Sequence, residues 1–327
     1  MKDEDRVVIK RFCVEPLPGR IPYENRRTIH VKSKFAGMAF IDFLCLYHPP
    51  TPREAWLSWI EAGDISIDSF PARAARIVRE GERFTHVMRG VTEPDVNASI
   101  GILFEDDAVI VVDKPAPLPI HPCGRFNRNT LLSMLENVYG GAKLRIAHRL
   151  DANTTGVVLL CRTAKAAGFI QPQFERREVQ KLYFARVEGT VPWDEHCCEL
   201  PIANSAGRKQ MRRNVGARCA DENGQPARTD FQVAGRLGDG TTLVYAKPVT
   251  GRTNQIRVHL WTLGYPIMGD LLYRADGELG DQQTLSIDDP PLCLHAKQLS
   301  LVDPTTLRRT AFKSDDPSWW AVPTDTE

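Results

Sequence analysis

The stretch "HRLDANTTG", His148 to Gly156, places one carboxylate, Asp151, beside an arginine and ahead of small polar residues. It follows the strand-like "RIAH" and precedes the apolar run "GVVLLC", so we expect it in a connection between strands, where catalytic groups are often held. An ionised carboxylate there could act as a nucleophile or as an acid/base group. Alternatively, Asp151 caps a turn over Asn153 and Thr154, a common role for aspartate. From these residues alone both interpretations stay open.

The elements that precede this segment form two regions. Residues 1–27 are rich in proline and charge, and we interpret them as an arm laid on a domain. In residues 28–93, "AFIDFLCLY" and "TPREAWLSWIEAG" predict two short helices, the second with Pro52 at its start and Gly63 after its end. The alternating runs "DISID" and "RFTHV" predict strands. Two helices and a small sheet therefore fill this second region.

A further domain, residues 94–327, is predicted to hold Asp151. "GILFE", "AVIVVD", "GVVLLCRT" and "KLYFARVEG" predict strands, and a Gly-Asp-Gly turn joins "DFQVAGRL" to "TTLVYAKPV" as a hairpin. "NTLLSMLENVYGG", with Asn129 or Thr130 as a cap, and "AKAAGFIQPQFERREVQ" predict helices. "GRTNQIRVHLWTLG" also predicts a helix, with Thr253 as N-cap and Gly264 at its end. The fold class is therefore α+β, with a mixed, mainly antiparallel sheet flanked by helices.

Charge is balanced overall but segregated along the chain. With 42 Lys+Arg against 41 Asp+Glu, the net charge of +1 excludes the global positive field of many nucleic-acid binders. Residues 200–218 contain five basic residues and no acid, whereas residues 275–290 contain five acids and no base. The basic run is either a solvated face or a phosphate-binding segment. Its members are Arg208, Lys209, Arg212, Arg213 and Arg218.

Cysteine usage and hydropathy exclude other classes. The eight cysteines are scattered, form no C-x-x-C pair and follow no signal-peptide pattern, so we expect reduced thiols. "EHCC", Glu195 to Cys198, lacks a second pair at zinc-ligand spacing, and we predict no metal site. No apolar run approaches the roughly 18 residues that a membrane span requires. We therefore expect a cytoplasmic protein with no membrane partner, and we favour a monomer.

Five ordered segments between Ile100 and Thr306 carry a family resemblance. "HRLDANTTG" resembles the His-Arg-Leu-Asp-x-x-Thr-Ser-Gly motif of the RluA-type pseudouridine synthases. "FEDDAVIVVDKPAPLPIHP", "KLYFARVEG", "PVTGRTNQIRVHLWTLGYPIMGD" and "LHAKQLSLVDPTT" are similar to other motifs of that family. The chain departs at two positions: Thr155 stands where the family has serine, and Asn254 stands where it has histidine. Thr155 keeps a hydroxyl, whereas Asn254 lacks an imidazole.

The resemblance implies an RNA pseudouridine synthase. Such an isomerase flips a specific uridine into a pocket, breaks its N-glycosidic bond, rotates the uracil and makes a carbon–carbon bond, without a cofactor. Asp151 would attack the ribose anomeric carbon or assist elimination to a glycal, and both mechanisms stay open. Arg257 would pair with Asp151, and Arg149 would enter the RNA. Tyr183 would stack on the uracil and take the proton from its ring carbon. Further RNA contacts are predicted at Lys114, Lys181, Arg252, Gln255, Arg208, Arg212 and Arg213.

The implied partner is a structured ribosomal or transfer RNA. Residues 28–93, through "IEAGDISID" and "VREGERF", resemble the ribosomal-protein-S-four-like (alpha-L) RNA-binding module. His148 and His259 are expected to be structural. Two rivals stay open: a catalytically silent RNA-binding or ribosome-assembly factor with the same fold, and a glycoside hydrolase, which would need a second acid beside Asp151.

Overall fold

The computed structural model describes residues 10–203, 224–280 and 284–321. Its helices are α1 (Phe40–Tyr47), α2 (Arg53–Glu61), α3 (Leu131–Val138), α4 (Ala164–Glu175) and α5 (Gln255–Thr262). Its strands are β1 (Lys10–Cys13), β2 (Tyr23–His30), β3 (Ile65–Ile67), β4 (Phe70–Pro71), β5 (Arg83–Val91), β6 (Ser99–Glu105), β7 (Val109–Lys114), β8 (Arg145–Ile146), β9 (Thr155–Cys161), β10 (Gln180–Glu188), β11 (Glu195–Cys198), β12 (Thr229–Arg236), β13 (Thr241–Pro248), β14 (Leu294–Val302) and β15 (Arg309–Lys313).

The smaller of two compact units is Gly19–Thr92. Its antiparallel sheet has the order β2-β5-β3-β4, and its core contains residues of α1 and α2. Phe40 of α1 stacks on Phe84 of β5 with ring centroids 4.2 Å apart. The two predicted helices and the strands over "DISID" and "RFTHV" lie where the sequence indicates them. The resemblance of this unit to the alpha-L module stays a prediction.

The N-terminal boundary differs from the predicted one. Residues 19–27, predicted as part of an arm, belong to the smaller unit because β2 pairs with β5 from Tyr23 to His30. Upstream, β1 pairs with β6, so this part of the arm is an edge strand of the larger unit. Backbone pairing, rather than the proline and charge content of residues 1–27, therefore sets the division.

The larger unit contains an 11-stranded sheet of order β1-β6-β7-β9-β14-β10-β13-β12-β11, with β15 also on β14 and β8 also on β9. Its strand pairs are antiparallel, except that β9 and β14 run parallel. The helix ends confirm two predictions: Thr130 caps α3 by accepting from the Ser133 N–H, and Gly264 follows α5 with a φ of 89°. The α+β class with a mixed, mainly antiparallel sheet is confirmed.

Helices cover both faces of this sheet. Val158 and Leu160 of β9 pack in a cluster with Met134 of α3, whereas Leu159, which points to the opposite face, packs with Ile170 of α4. Because both faces of β9 are buried, its sequence is a continuous apolar run rather than an alternating one. The strand that follows Asp151 is therefore fixed between two cores.

The remaining helix, α5, packs over the neighbouring strands of the same sheet. Its residues Ile256 and Leu260 lie in a cluster with Ala185 of β10 and Val244 of β13. No helix among the described residues is long and apolar enough to cross a membrane.

Strand register brings the start of β9 close to the middle of β10. Gly156 pairs with Ala296 of β14, and Ala296 pairs with Tyr183 of β10. Gly156 has a φ of 106°, and a Cβ built there would lie 2.3 Å from the Ala296 carbonyl oxygen. Only glycine allows this backbone approach. Asp151, five residues before Gly156, is thus delivered towards the strand that carries Tyr183.

Candidate active site

The backbone around Asp151 is held by partners on both sides. The Ala152 carbonyl accepts from the Leu118 N–H at 2.9 Å, and the Asn153 amide oxygen accepts from the Leu285 N–H at 3.0 Å. The turn is closed by the Asp151 backbone carbonyl, which accepts from the Thr154 N–H at 3.2 Å. The Asp151 carboxylate instead faces Arg257 and keeps 30% of its side chain exposed. A fixed backbone therefore presents an accessible carboxylate.

Arg257 joins Asp151 to a second carboxylate. Its Nη1 lies 3.4 Å from Asp151 Oδ2, while its Nε and Nη2 donate to the two oxygens of Asp270 at 2.7 and 2.8 Å. The side chains of Arg257 and Asp270 are 3% and 0% exposed. Burial opposes the charge of Arg257, but the hydrogen bonds and charge of Asp270, and the charge of Asp151, raise the Arg257 pKa above its ordinary value. The site therefore holds a permanent cation beside Asp151.

Sequence reasoning placed Arg257 near Asp151 but missed Asp270. This residue ends the motif "GYPIMGD", so the Gly-Asp pair at the end of that motif could have indicated Asp270 as a site residue. Gly269 has a φ of 76°, and a Cβ there would lie 2.2 Å from the Pro291 carbonyl oxygen. The glycine thus permits the tight backbone that delivers Asp270 to the guanidinium.

Tyr183 contributes a half-buried phenol on β10. Its side chain packs against two hydrophobic clusters: the one that contains Val158 of β9 and the one that contains Ile256 of α5. Burial, and then the negative charge of Asp151, raise the Tyr183 pKa above its ordinary value. The hydroxyl therefore stays protonated at neutral pH, and it lies close enough to Asp151 for the carboxylate charge to act on it.

Asn254 occupies the position before α5 where the family pattern has histidine. The sequence predicts Thr253 as N-cap, but the N-cap is Asn254, whose backbone is left-handed with a φ of 55°. Its side chain makes no capping bond: Oδ1 accepts from Arg257 Nη1 at 3.3 Å, and Nδ2 donates to the Tyr273 hydroxyl at 3.2 Å. Asn254 and Tyr273 were not predicted as site residues.

Lys114 is buried, contrary to its predicted contact with RNA. Its side chain is inaccessible, and Nζ donates to the carbonyls of Pro115, Leu118 and Ala152 at 2.9 to 3.0 Å. Burial lowers the Lys114 pKa to about 7, although three carbonyl acceptors favour the ammonium form, which has three N–H donors. The sequence predicts that its charge contacts RNA. In the structure its ammonium group instead holds the backbone next to Asp151, through the bond to the Ala152 carbonyl.

Gln255 is also a structural residue rather than an RNA contact. It is 4% exposed; Oε1 accepts from the Thr250 hydroxyl and the Arg252 N–H, and Nε2 donates to the Arg228 carbonyl and the Thr229 hydroxyl. All four hydrogen-bonding positions of the amide are thus used within the protein. The prediction was wrong because the polar side chain lies on the inner face of α5.

Two other predicted RNA contacts have partners within the protein. The Arg252 Nε donates to the Pro226 carbonyl at 3.1 Å. Lys181 is half-buried, its Nζ donates to the Thr250 carbonyl at 3.0 Å, and burial lowers its pKa to about 8. Their RNA contacts stay predictions.

Arg149 is exposed, and its Nη1 lies 3.4 Å from His121 Nε2. This exposure is compatible with the predicted insertion into RNA. Arg208, Arg212 and Arg213 lie outside the described residues, so their contacts with RNA stay predictions.

The two histidines expected to be structural have protein partners. His148 Nε2 accepts from the Leu159 N–H at 3.1 Å, and burial lowers the His148 pKa to about 3. His259 is buried between the Thr229 hydroxyl and the Leu200 carbonyl. The segment "EHCC" forms β11, and the described part of the chain contains no group of side chains arranged to hold a metal ion.

Comparison with known proteins identifies the family. Residues 108–261 match the model of the RNA pseudouridylate synthase family. The ribosomal large subunit pseudouridine synthase D of Nitrosomonas europaea is 34% identical over 292 residues, which cover 86% of this chain and 82% of that protein. The chain therefore belongs to the RluA-type RNA pseudouridine synthase family, and the sequence resemblance is confirmed.

Two further similarities define how far the match extends. The mitochondrial tRNA pseudouridine(32) synthase of Saccharomyces cerevisiae is 33% identical over 81% of this chain, but the match spans only 57% of that protein. The structure of human RNA pseudouridylate synthase domain containing 4 matches with a TM-score of 0.53 and 30% identity, covering 67% of this chain and 89% of that one. This chain thus spans little more than half the length of its yeast relative.

Proposed function

We propose that this protein is an RNA pseudouridine synthase with Asp151 as its catalytic residue. The observation that carries the proposal is the partly exposed Asp151 carboxylate held 3.4 Å from the buried cation of Arg257, on a backbone fixed beside Tyr183. A carboxylate used as a nucleophile or base must be ionised, and the permanent guanidinium of Arg257 lies next to this one. The exposed side of Asp151 is free to meet a substrate.

The reaction assigned to the site is balanced without a cofactor. The bond between uracil N1 and the ribose anomeric carbon breaks, and a bond forms between that carbon and uracil C5. C5 loses a proton and N1 gains one, so reactant and product are isomers. Asp151 either attacks the anomeric carbon or removes a ribose proton to give a glycal. Both roles require the uridine to be flipped out of its stack.

Other residues would assist before and after bond cleavage. Arg149, exposed beside the Asp151 loop, would occupy the space left in the RNA by the flipped base. The Tyr183 ring would stack on the uracil, a contact of about 1–3 kcal/mol per base. Because its hydroxyl is protonated, it would carry the proton leaving C5 as a relay, passing its own proton to the Asp151 carboxylate as it accepts the one from C5. The mainly apolar surroundings of Tyr183 suit a flat base.

We propose a ribosomal or transfer RNA as the substrate. One relative is named for the ribosomal large subunit and another for a transfer RNA position, so both RNA classes occur among related proteins. The alpha-L resemblance of residues 28–93 favours ribosomal RNA. Cytoplasmic location and a monomeric state stay predictions.

The test uses total RNA from cells that lack this protein. Purified protein is incubated with that RNA, and pseudouridine is mapped by carbodiimide modification and primer extension. We expect a new stop at one or a few uridines, none with Asp151→Asn, and unchanged stops with Asp107→Asn, which alters an exposed carboxylate in the turn between β6 and β7. If RNA binds but no stop appears, the protein is a silent RNA-binding factor. Release of free uracil would indicate a glycoside hydrolase.

A further inference from the structure

Asn254 adopts a backbone conformation that few residues accept. Its φ of 55° and ψ of 21° lie in the left-handed region, where asparagine is among the better tolerated non-glycine residues. The residue stands at the N-cap of α5, yet its amide is not used to cap the helix. The side chain points instead to Arg257 and Tyr273. A local role in starting the helix therefore does not account for these contacts.

The amide of Asn254 completes the hydrogen bonding of Arg257. Asp270 accepts from Nε and Nη2, which leaves Nη1 directed away from Asp270. Nη1 lies 3.3 Å from Asn254 Oδ1 and 3.4 Å from Asp151 Oδ2. Since Nη1 carries two N–H groups, it can serve both acceptors at once. The Nη1 that meets the Asp151 carboxylate is thus shared with Asn254.

Tyr273 fixes which way the Asn254 amide faces. It is 0% exposed, and its hydroxyl accepts from Asn254 Nδ2 at 3.2 Å. Its ring centroid lies 5.1 Å from Arg257 Cζ, and its backbone N–H donates to Asp270 Oδ1 at 3.0 Å. With Nδ2 committed to the hydroxyl, Oδ1 must face the guanidinium. The same tyrosine therefore contacts the amide, the arginine and the carboxylate of Asp270.

We propose that Asn254 and Tyr273 are positioning residues that hold Arg257 Nη1 towards Asp151. This inference rests on the proposed function and assigns a role to two residues of the same site. Asn254 does so with a neutral amide, so it adds neither a charge nor a titrating group beside Asp151. The pair acts through Arg257 and needs no contact with the uridine.

The test separates chemistry from binding. Asn254→Gly keeps a residue suited to positive φ and removes both amide contacts, while Tyr273→Phe removes the hydroxyl alone. Using total RNA labelled with [5-3H]uridine, from cells that lack this protein, we measure tritium release under single turnover and RNA affinity separately. We expect each variant to slow release by about 10- to 100-fold and to change affinity by less than about twofold. The double variant should be little slower than the slower single variant, because both act through one contact.

Leu307→Gly is the matched control, since Leu307 is exposed, has a φ of 56° and lies in the connection between β14 and β15. It should release tritium at the wild-type rate. Rates of both site variants within about twofold of wild type would overturn the positioning role, as would losses that multiply in the double variant. If Asn254→Gly does not fold, Tyr273→Phe decides alone by the same criterion. A wild-type protein that releases no tritium would overturn the proposed function instead.

Discussion

At the residue scale, the chemistry depends on how one guanidinium is divided among its acceptors. Asp270 takes the two shortest hydrogen bonds of Arg257, and Asp151 takes a longer one at 3.4 Å. The cation is therefore anchored by a carboxylate side chain with no access to solvent, and its Nη1 is shared between the accessible Asp151 and the amide of Asn254. This division places a cation beside Asp151 without enclosing the carboxylate in a fully formed ion pair.

Removing the anchor should harm both stability and activity. Asp270→Asn leaves the buried Arg257 without its bidentate partner, so we expect the free energy of unfolding to fall by about 3 kcal/mol or more. Urea unfolding measures this change. Asp276→Asn is the control, because Asp276 is exposed in its pair with Arg274 and such pairs contribute at most about 1 kcal/mol. Equal stability of the two variants would contradict the anchoring role of Asp270.

The Tyr183 hydroxyl can be tested apart from its ring. Tyr183→Phe keeps an aromatic surface for stacking but removes the group proposed to carry the C5 proton. We expect RNA affinity within about tenfold of wild type and conversion slower by about 100-fold or more. Filter binding and tritium release measure the two quantities. Conversion at the wild-type rate would assign Tyr183 a stacking role only.

The resemblance to the family motifs predicted part of this site. The motif resemblance paired Arg257 with Asp151, and the two side chains do meet. Contacts with RNA were predicted for Lys114 and Gln255 because a charged or polar side chain in a motif suggests a ligand contact. Tertiary packing buries both side chains. Asp270 lies 13 residues beyond Arg257 in the chain, and local periodicity gives no sign of that contact.

At the element scale, the site depends on the short parallel pairing between β9 and β14. Gly156→Ala would place a Cβ 2.3 Å from the Ala296 carbonyl oxygen at a φ of 106°. Gly156 and Ala296 are paired in the sheet, so their backbones cannot move apart without breaking that pairing. We therefore expect a loss of stability of about 2–4 kcal/mol and a large loss of activity. Gly168→Ala in α4 has open space and should stabilise by up to about 1 kcal/mol. Thermal unfolding of both variants checks this, and a stable Gly156→Ala protein would contradict the register.

The sequence predicted most elements of the larger unit but not their order. Alternating and apolar runs located β6, β7, β9, β10, β12 and β13, and cap residues located α3. The insertion of β14 between β9 and β10 joins Thr155 to His295, 140 residues apart. Contacts at that separation leave no periodic signal, so the neighbourhood of Asp151 and Tyr183 could be expected only from the resemblance.

At the scale of the whole molecule, the buried His259 and His295 and the half-buried His148 should make stability depend on pH. Burial lowers the pKa of His148 to about 3 and of His295 to about 4, and it also lowers the pKa of His259. Between these values and the unfolded pKa near 6.5, the unfolded chain binds more protons than the folded one. The stabilisation is thus complete above about pH 6.5 and is lost as the pH falls towards 4.

Urea unfolding between pH 7 and 4.5 measures this effect. Each such histidine should lower the free energy of unfolding by up to about 1.4 kcal/mol per pH unit below 6.5. The amide oxygen of His148→Gln could still accept from the Leu159 N–H. This variant should reduce the slope of the free energy of unfolding against pH by the contribution of about one bound proton. An identical slope in the variant would show that His148 is not held neutral by the fold.

The central claim is that the Asp151 carboxylate performs the isomerisation of a uridine in RNA. The most direct measurement is tritium release from [5-3H]uridine-labelled RNA by wild-type protein and by Asp151→Asn, with RNA affinity measured in parallel. We predict release by the wild type, none by the variant, and affinities within about tenfold of each other, because the amide preserves shape but cannot act as a nucleophile or base. Continued release by a pure Asp151→Asn preparation would contradict the claim.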